Sequence, residues 1–473
     1  MKRIWTAALL TGLLTLLLSG CIFRTPDELY QLPARSPGYE KLTEKIDEVK
    51  HNLELEFATT VEPAVIYSGD NTSTIQFQDM DSDGTPETAV TFLRVPGADM
   101  PLRIYFFTLQ PDESYQVSCI VEGTGTAIYK VDYVELSGEG QKELVVSWQT
   151  STNVYQLGVY SLDSSRRERE ARMDMEQSAD GALRPVEATE LLMTTYSGYS
   201  LLDIDQDLRT ELAVIRVESA DTNNLVEVYG WRDGAFVSVG TARLSTGITA
   251  RSRVRSNFVA DSIRALYITG TLMDGSQATD IVAWRDGELV NLTLNPETGI
   301  SNETLSGYGS IGPSDVNDDT VLEMPQPIIL PSYPSGEPNN LYLIEWSQYD
   351  INGASKKVFT TYHNYEDSWY LEIPDNWVGQ ITIGRNDSVS EERAVIFYHW
   401  NGMEEEPTPF MAIYKLSGVS RTVRATRGNR FILSEDDSTI YAATFLDSKW
   451  DCGLEEVDVL NRFHRILSGW ASE

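Results

Sequence analysis

Four carboxylates stand at alternate and then wider spacing in the run Asp79-Met-Asp81-Ser-Asp83-Gly84-Thr-Pro-Glu87, directly before the apolar stretch Thr88-Ala-Val-Thr-Phe-Leu93. Hard oxygen donors at every second position of a tight turn can converge on one cation. The same acids can also do no more than cap and solvate the turn. The pattern returns at Glu135-Leu-Ser137-Gly-Glu139-Gly140-Gln-Lys-Glu143, at Asp203-Ile-Asp205-Gln-Asp207-Leu-Arg-Thr-Glu211 and at Asp315-Val-Asn317-Asp-Asp319-Thr-Val-Leu-Glu323. Signals for other chemistry are thin. His51, His363, His399 and His464 are scattered, and no HExxH, GxSxG or P-loop occurs. His399, beside Trp400 at a strand end, reads as structural. Gly307 to Gly312 matches GxGxxG, but Pro313 and an acidic turn follow where a dinucleotide site needs a helix. Nothing here nominates a catalytic residue, and the chain reads as a non-enzyme without an organic cofactor.

A different chemistry is written at the start of the chain. Lys2 and Arg3 precede an apolar run from Ala7 to Leu18, and Leu18-Ser-Gly20-Cys21 closes it with small residues before a cysteine. That order is a secretory signal ending in what resembles a lipobox, which implies cleavage before Cys21 and lipid on its sulfur. The run is shorter than the roughly 20 apolar residues a spanning helix needs. Removing Lys2 and Arg3, with no acid, moves the formal charge from −34 to −36. Charge of this sign excludes nucleic-acid binding, which needs a basic footprint. It also opposes docking of side chains on anionic lipid, so the membrane partner is reached through the Cys21 lipid alone. The expected location is the extracytoplasmic face of a cell membrane.

The elements that must position the acidic turns follow. Residues 1–20 read as signal and 21–38, with Pro26, Pro33 and Pro37, as a flexible tether. Residues 39–59 contain one short amphipathic helix, with Leu42, Ile46, Val49 and Leu53 on one side. From residue 60 to 473, short Val/Ile/Tyr/Phe/Thr stretches alternate with Gly, Asp and Asn turns, which is an all-β texture. Unit starts at 79, 135, 203, 257, 315, 385 and 432 lie 47 to 70 residues apart. Val228-Tyr-Gly-Trp-Arg-Asp-Gly and Ile281-Val-Ala-Trp-Arg-Asp-Gly mark a second hairpin within units. Each unit is about four strands, the size of a propeller blade. The sequence therefore predicts a seven-bladed β-propeller in which the N-terminal strand Pro63–Tyr67 completes the last blade. Such closure makes Cys119 and Cys452 neighbours. Export permits a disulfide between them, with two separate buried thiols as the alternative.

The Asp-x-Asp-x-Asp-Gly-x-x-Glu turn followed by a strand resembles the FG-GAP/VCBS-type repeat of integrin-α-like propellers and many bacterial surface proteins. The resemblance covers residues 60–470 as architecture and implies structural calcium in the turns. Carried over by position, the implied ligands are Asp79, Asp81, Asp83 and Glu87; Asp203, Asp205, Asp207 and Glu211; and Asp315, Asn317, Asp319 and Glu323. Leu208 and Thr320 depart from Gly84 and are expected to stiffen or reshape their loops. Trp346, Trp369, Trp377, Trp400 and Trp450 would suit glycan or peptide binding if they lined a rim. Packing between blades is the alternative use for them. The expected function is a lipid-anchored binding or scaffold protein for a protein, peptide or glycan partner. A glycan lyase or hydrolase using the channel, and an envelope-assembly lipoprotein, are the alternatives.

Overall fold

The computed structural model describes residues 37–162, 186–217, 223–307, 311–331 and 341–466. The signal, Cys21, nearly all of the expected tether and Gly309 of the GxGxxG match lie outside these residues. The described residues form two compact units, one of residues 37–128 and 186–188 and the other of 129–162 and the described residues from 189 to 466. Among the described residues no helix is long and apolar enough to cross a membrane.

In the first unit, helix α1 (Pro37–Phe57) begins with a proline at its first turn, where the missing N–H costs nothing. It therefore starts two residues earlier than the apolar spacing suggested. Leu42, Ile46 and Leu53 face Ala89, Leu93, Tyr105 and Phe107 of a six-stranded sheet. The central strands of that sheet are Thr88–Arg94, Leu102–Leu109 and Tyr115–Gly123. Strand Glu62–Pro63 pairs with Thr88–Arg94, and Ile66 bridges Ile128. The N-terminal strand thus belongs to the first sheet and does not complete the last one.

Among the described residues the second unit contains five antiparallel sheets, numbered here two to six in chain order. Sheet two comprises Ala127–Val134, Glu143–Ser151, Val154–Ser161 and Thr189–Thr195. Sheet three comprises Gly198–Leu202, Glu211–Arg216, Leu225–Arg232 and Ala235–Arg243. Sheet four comprises Ile248–Val259, Ile263–Leu272, Gln277–Arg285 and Glu288–Asn291. Sheet five comprises Met324–Ile329, Tyr342–Tyr349, Ser355–Asn364 and Trp369–Ile373, with the late strand Phe463–Arg465 on its edge. Sheet six comprises Ile381–Val389, Glu392–His399, Thr408–Ser417, Thr439–Phe445 and Phe431–Glu435. The strands after 432 therefore extend the sheet begun at 385, because Thr439–Phe445 pairs along Thr408–Ser417. Among the described residues the seven expected units become six sheets.

Each sheet of the second unit packs on the next through an apolar layer. Successive side chains of a strand point to opposite faces, so a strand covered on both sides reads as an unbroken apolar run. Glu211–Arg216 shows the consequence. Its Leu212 and Val214 join Leu136, Val145, Leu157 and Val159 of sheet two and the turn before it. Its Ala213 and Ile215 join Leu266, Ile268, Val282 and Leu289 of sheet four. In the same way Ala265 and Tyr267 turn toward Met324 and Tyr349 of sheet five, whose Tyr362 and Leu371 meet Phe397 and Met411 of sheet six. The two Trp-Arg-Asp-Gly hairpins close as their sequences require. Arg232 pairs with Ala235 and Arg285 with Glu288. Asp233, Gly234, Asp286 and Gly287 all take positive φ, as a two-residue hairpin turn of this type needs.

Candidate cation-binding turns

The four acidic turns share one hydrogen-bond scheme. The first side chain of each accepts an N–H from five residues on. Asp79 Oδ2 receives Gly84 at 2.9 Å, Glu135 Oε1 receives Gly140 at 3.1 Å, Asp203 Oδ2 receives Leu208 at 3.0 Å and Asp315 Oδ2 receives Thr320 at 2.9 Å. The third accepts from two residues on: Asp81 from Asp83, Ser137 from Glu139, Asp205 from Asp207 and Asn317 from Asp319. The closing glutamate reaches back to the second N–H. Glu87 takes Met80 at 3.4 Å, Glu143 takes Leu136 at 2.8 Å, Glu211 takes Ile204 at 3.0 Å and Glu323 takes Val316 at 2.8 Å.

The scheme requires left-handed backbone at the fourth and sixth positions. Ser82 and Gly84, Gly138 and Gly140, Gln206 and Leu208, and Asp318 and Thr320 all have φ between 58° and 92°. Leu208 and Thr320 therefore hold the glycine conformation with a side chain attached, and the expected reshaping of those loops does not occur.

What differs is the content of each turn. Asp79, Asp81, Asp83 and Glu87 bring ligand oxygens within 4.8 Å of one another, as do Asp203, Asp205 and Glu211. Asp207 stands outside the second group, with Oδ1 taken by the N–H of Arg209. In the 203–211 turn a guanidinium already sits among the acids. Arg232 Nη2 lies 2.7 Å from Asp205 Oδ2 and 3.9 Å from Glu211 Oε1, and its Nη1 lies 3.6 Å from Asp207 Oδ2. In the 315–323 turn an amide fills the same role. Gln348 Nε2 donates to Asp319 Oδ2 at 2.8 Å and to Glu323 Oε1 at 2.7 Å, while Asn317 donates to Asp319. The 135–143 turn has Ser137 in place of an acid. Among the described residues only the 79–87 turn combines four carboxylates with no cationic or amide side chain bonded into them.

Orphaned oxygens test whether these residues fit an ion. Glu87 Oε2, Asp203 Oδ1 and Glu211 Oε1 are buried atoms with no hydrogen-bond partner. A buried acceptor left unsatisfied is costly, and a bound cation removes that cost. The donor set is all oxygen, which suits calcium or magnesium and not zinc. Burial, with Asp205 next in effect, pushes the Glu211 carboxyl up to about 7. Burial pushes Glu323 up to about 7 as well, and raises Glu143.

The other residues singled out by sequence have structural places. Cys119 and Cys452 are both buried thiols and are not bonded to each other. Each turns its sulfur toward a nearby carbonyl, Cys119 to Ile120 and Cys452 to Leu454. Trp346, Trp369 and Trp377 are core residues, at most 1 % exposed. Trp450 packs on Trp377, His399 and Phe410. Packing is thus the use of the first three, and Trp450 is half-buried against that core. Arg232 and Gln348, which decide the content of two turns, escaped sequence reading. Arg232 is visible in the sequence only as part of the repeated Trp-Arg-Asp-Gly hairpin, and the equivalent residue of the other hairpin, Arg285, instead donates to the carbonyl of Ile351.

No family model matches this chain, and no curated protein matches it. Among solved structures, a hypothetical selenium-binding protein from Sulfolobus tokodaii aligns at 12 % identity with a TM-score of 0.24. That alignment covers 48 % of this chain and only 55 % of the other. An exotype rhamnogalacturonan lyase aligns at 10 % identity with a TM-score of 0.26, over 72 % of this chain and 70 % of its own. Likenesses this slight transfer neither fold nor activity.

Proposed function

We propose that this chain is a lipid-anchored, extracytoplasmic binding or scaffold protein whose repeated sheets are propeller blades and whose 79–87 turn holds a structural calcium ion. The observation that carries the reading is the acidic turn built four times on one hydrogen-bond scheme, with one copy whose four carboxylates converge and hold no cationic or amide side chain among them. Sequential packing of sheets two to six supports the blade reading, with six sheets in place of seven. The resemblance to FG-GAP/VCBS repeats supports calcium as the ion, and the residues from Lys2 to Cys21 support the anchor. With its carboxylate oxygens supplied by one turn, the ion braces a loop.

Two measurements test this. Wild-type protein expressed with its signal should fractionate with membranes and carry lipid, while Cys21→Ala should be released; a Cys21→Ala protein that stays membrane-bound contradicts the anchor. Calcium at 100 times its dissociation constant should stabilise the soluble mature chain by about 2.7 kcal/mol. The same addition should leave the melting of Asp81→Ala/Asp83→Ala unchanged; a melting temperature of the wild type indifferent to calcium and chelator contradicts the brace.

A further inference from the structure

The second unit carries a run of tyrosines that no acidic turn uses. Ring centroids of Tyr129 and Tyr155 are 4.9 Å apart, those of Tyr155 and Tyr196 are 6.2 Å apart, and those of Tyr196 and Tyr199 are 5.4 Å apart. The lower end of the run is fixed. The Tyr199 hydroxyl donates to Asp132 Oδ2 at 2.5 Å, Lys130 pairs with the same carboxylate at 3.0 Å, and the Lys130 ammonium lies 5.0 Å from the Tyr199 ring centre. The Tyr196 hydroxyl is hydrogen-bonded to the buried Ser147 hydroxyl. The upper end is open: Tyr129 is exposed, Tyr155 is half-buried, and among the described residues neither hydroxyl has a hydrogen-bond partner.

Arg251 lies against this run. Its Nε donates to the carbonyl of Ser197 at 2.7 Å, next to Tyr196. Gly198 makes room for it, since a Cβ there would stand 2.7 Å from the Nε and 2.8 Å from the Cδ. Its terminal nitrogens make no hydrogen bond or ion pair among the described residues. The Arg251 side chain is exposed. It is held in place and left available to an external anion.

We propose that Tyr129, Tyr155, Tyr196 and Arg251 form a binding surface for a sugar chain bearing carboxylate groups. Tyrosines offer rigid apolar faces with polar tips, which fit the alternating C–H faces and hydroxyls of pyranose rings. One guanidinium at the Tyr196 end of the run matches an occasional carboxylate on a stacked ligand, and can fork onto it through two N–H groups. An acidic peptide would call for several cations and has no comparable use for the ring faces.

The inference rests on reading the chain as an extracytoplasmic binding protein, and names the ligand class of that reading. The test is calorimetric titration of the soluble mature chain, without added calcium, with an alginate hexamer, cellohexaose and hexaglutamate. The alginate hexamer should bind and the other two should bind at least tenfold more weakly. Arg251→Gln and Tyr155→Leu should each weaken the alginate hexamer about tenfold while melting as the wild type does. Absence of alginate binding, equal binding of cellohexaose or hexaglutamate, or alginate affinity unmoved in both variants overturns the proposal. Should either variant unfold, loss of alginate binding with rising salt in the wild type replaces it, and salt-indifferent binding counts against the arginine. Membrane release of Cys21→Ala and the calcium-dependent melt are read separately, so failure of this site and failure of the anchored, braced module remain distinct.

Discussion

Leu208 states the logic of the acidic turn in one residue. It is 93 % exposed and holds φ at +72°, a conformation suited to glycine, so that its N–H can reach Asp203. Left-handed backbone costs a side-chain-bearing residue about 1–2 kcal/mol, and glycine gives back part of that gain through unfolded-state entropy. Leu208→Gly should therefore stabilise the protein by up to about 1 kcal/mol in a urea melt, and a loss of stability would show that the leucine is not strained. Arg232 carries the second prediction at this scale. Its guanidinium occupies the space between Asp205 and Glu211 that an ion would take. Replacement by the shorter Arg232→Ala should expose a second calcium site, raising the bound stoichiometry from one ion to two. An unchanged stoichiometry would mean that the 203–211 turn cannot hold an ion even when vacated.

Among elements, the contact between sheets three and four depends on absent atoms. A Cβ at Gly240 would stand 2.8 Å from the Trp284 ring and 3.0 Å from Leu289. Gly240→Val should cost about 1–3 kcal/mol through overpacking, and a variant melting with the wild type would show that the two sheets can separate locally without penalty. Much of this level was legible in the sequence. Alternation, Asp-Gly hairpins and the acidic turns located most strands, because each signal is local and repeated. The helix was legible too, since its apolar spacing is long and regular. The number of sheets was not. Whether the strands after 432 start a sheet or extend one depends on which neighbour offers a free edge, and the pairing of Thr439–Phe445 with Thr408–Ser417 leaves no local trace. The pairing of Glu62–Pro63 with Thr88–Arg94 is likewise a choice among edges. For the site, the convergence of Asp79, Asp81, Asp83 and Glu87 and of Asp203, Asp205 and Glu211 was legible, whereas Arg232 and Gln348 reach the turns from other strands of their sheets and left no spacing signal.

For the molecule as a whole, pH sensitivity and cation binding are the accessible readouts. His363 is buried against Trp346, Tyr365 and Tyr370. Burial drives its imidazole down to about 3. The unfolded chain thus takes up this proton first as pH falls, so the contribution of the neutral ring is complete above about 6.5 and is lost progressively toward 3. Between pH 7 and pH 5 the wild type should lose about 2 kcal/mol more than His363→Phe; parallel losses in urea melts would show that the ring is not held neutral. The central claim concerns the 79–87 turn, where four carboxylates converge with no cation or amide of the protein among them. Its most direct test is calorimetry with Ca²⁺ on the soluble mature chain and on Asp81→Ala/Asp83→Ala. The account predicts one ion bound by the wild type and none by the variant; heat absent from both, or equal in both, would contradict it.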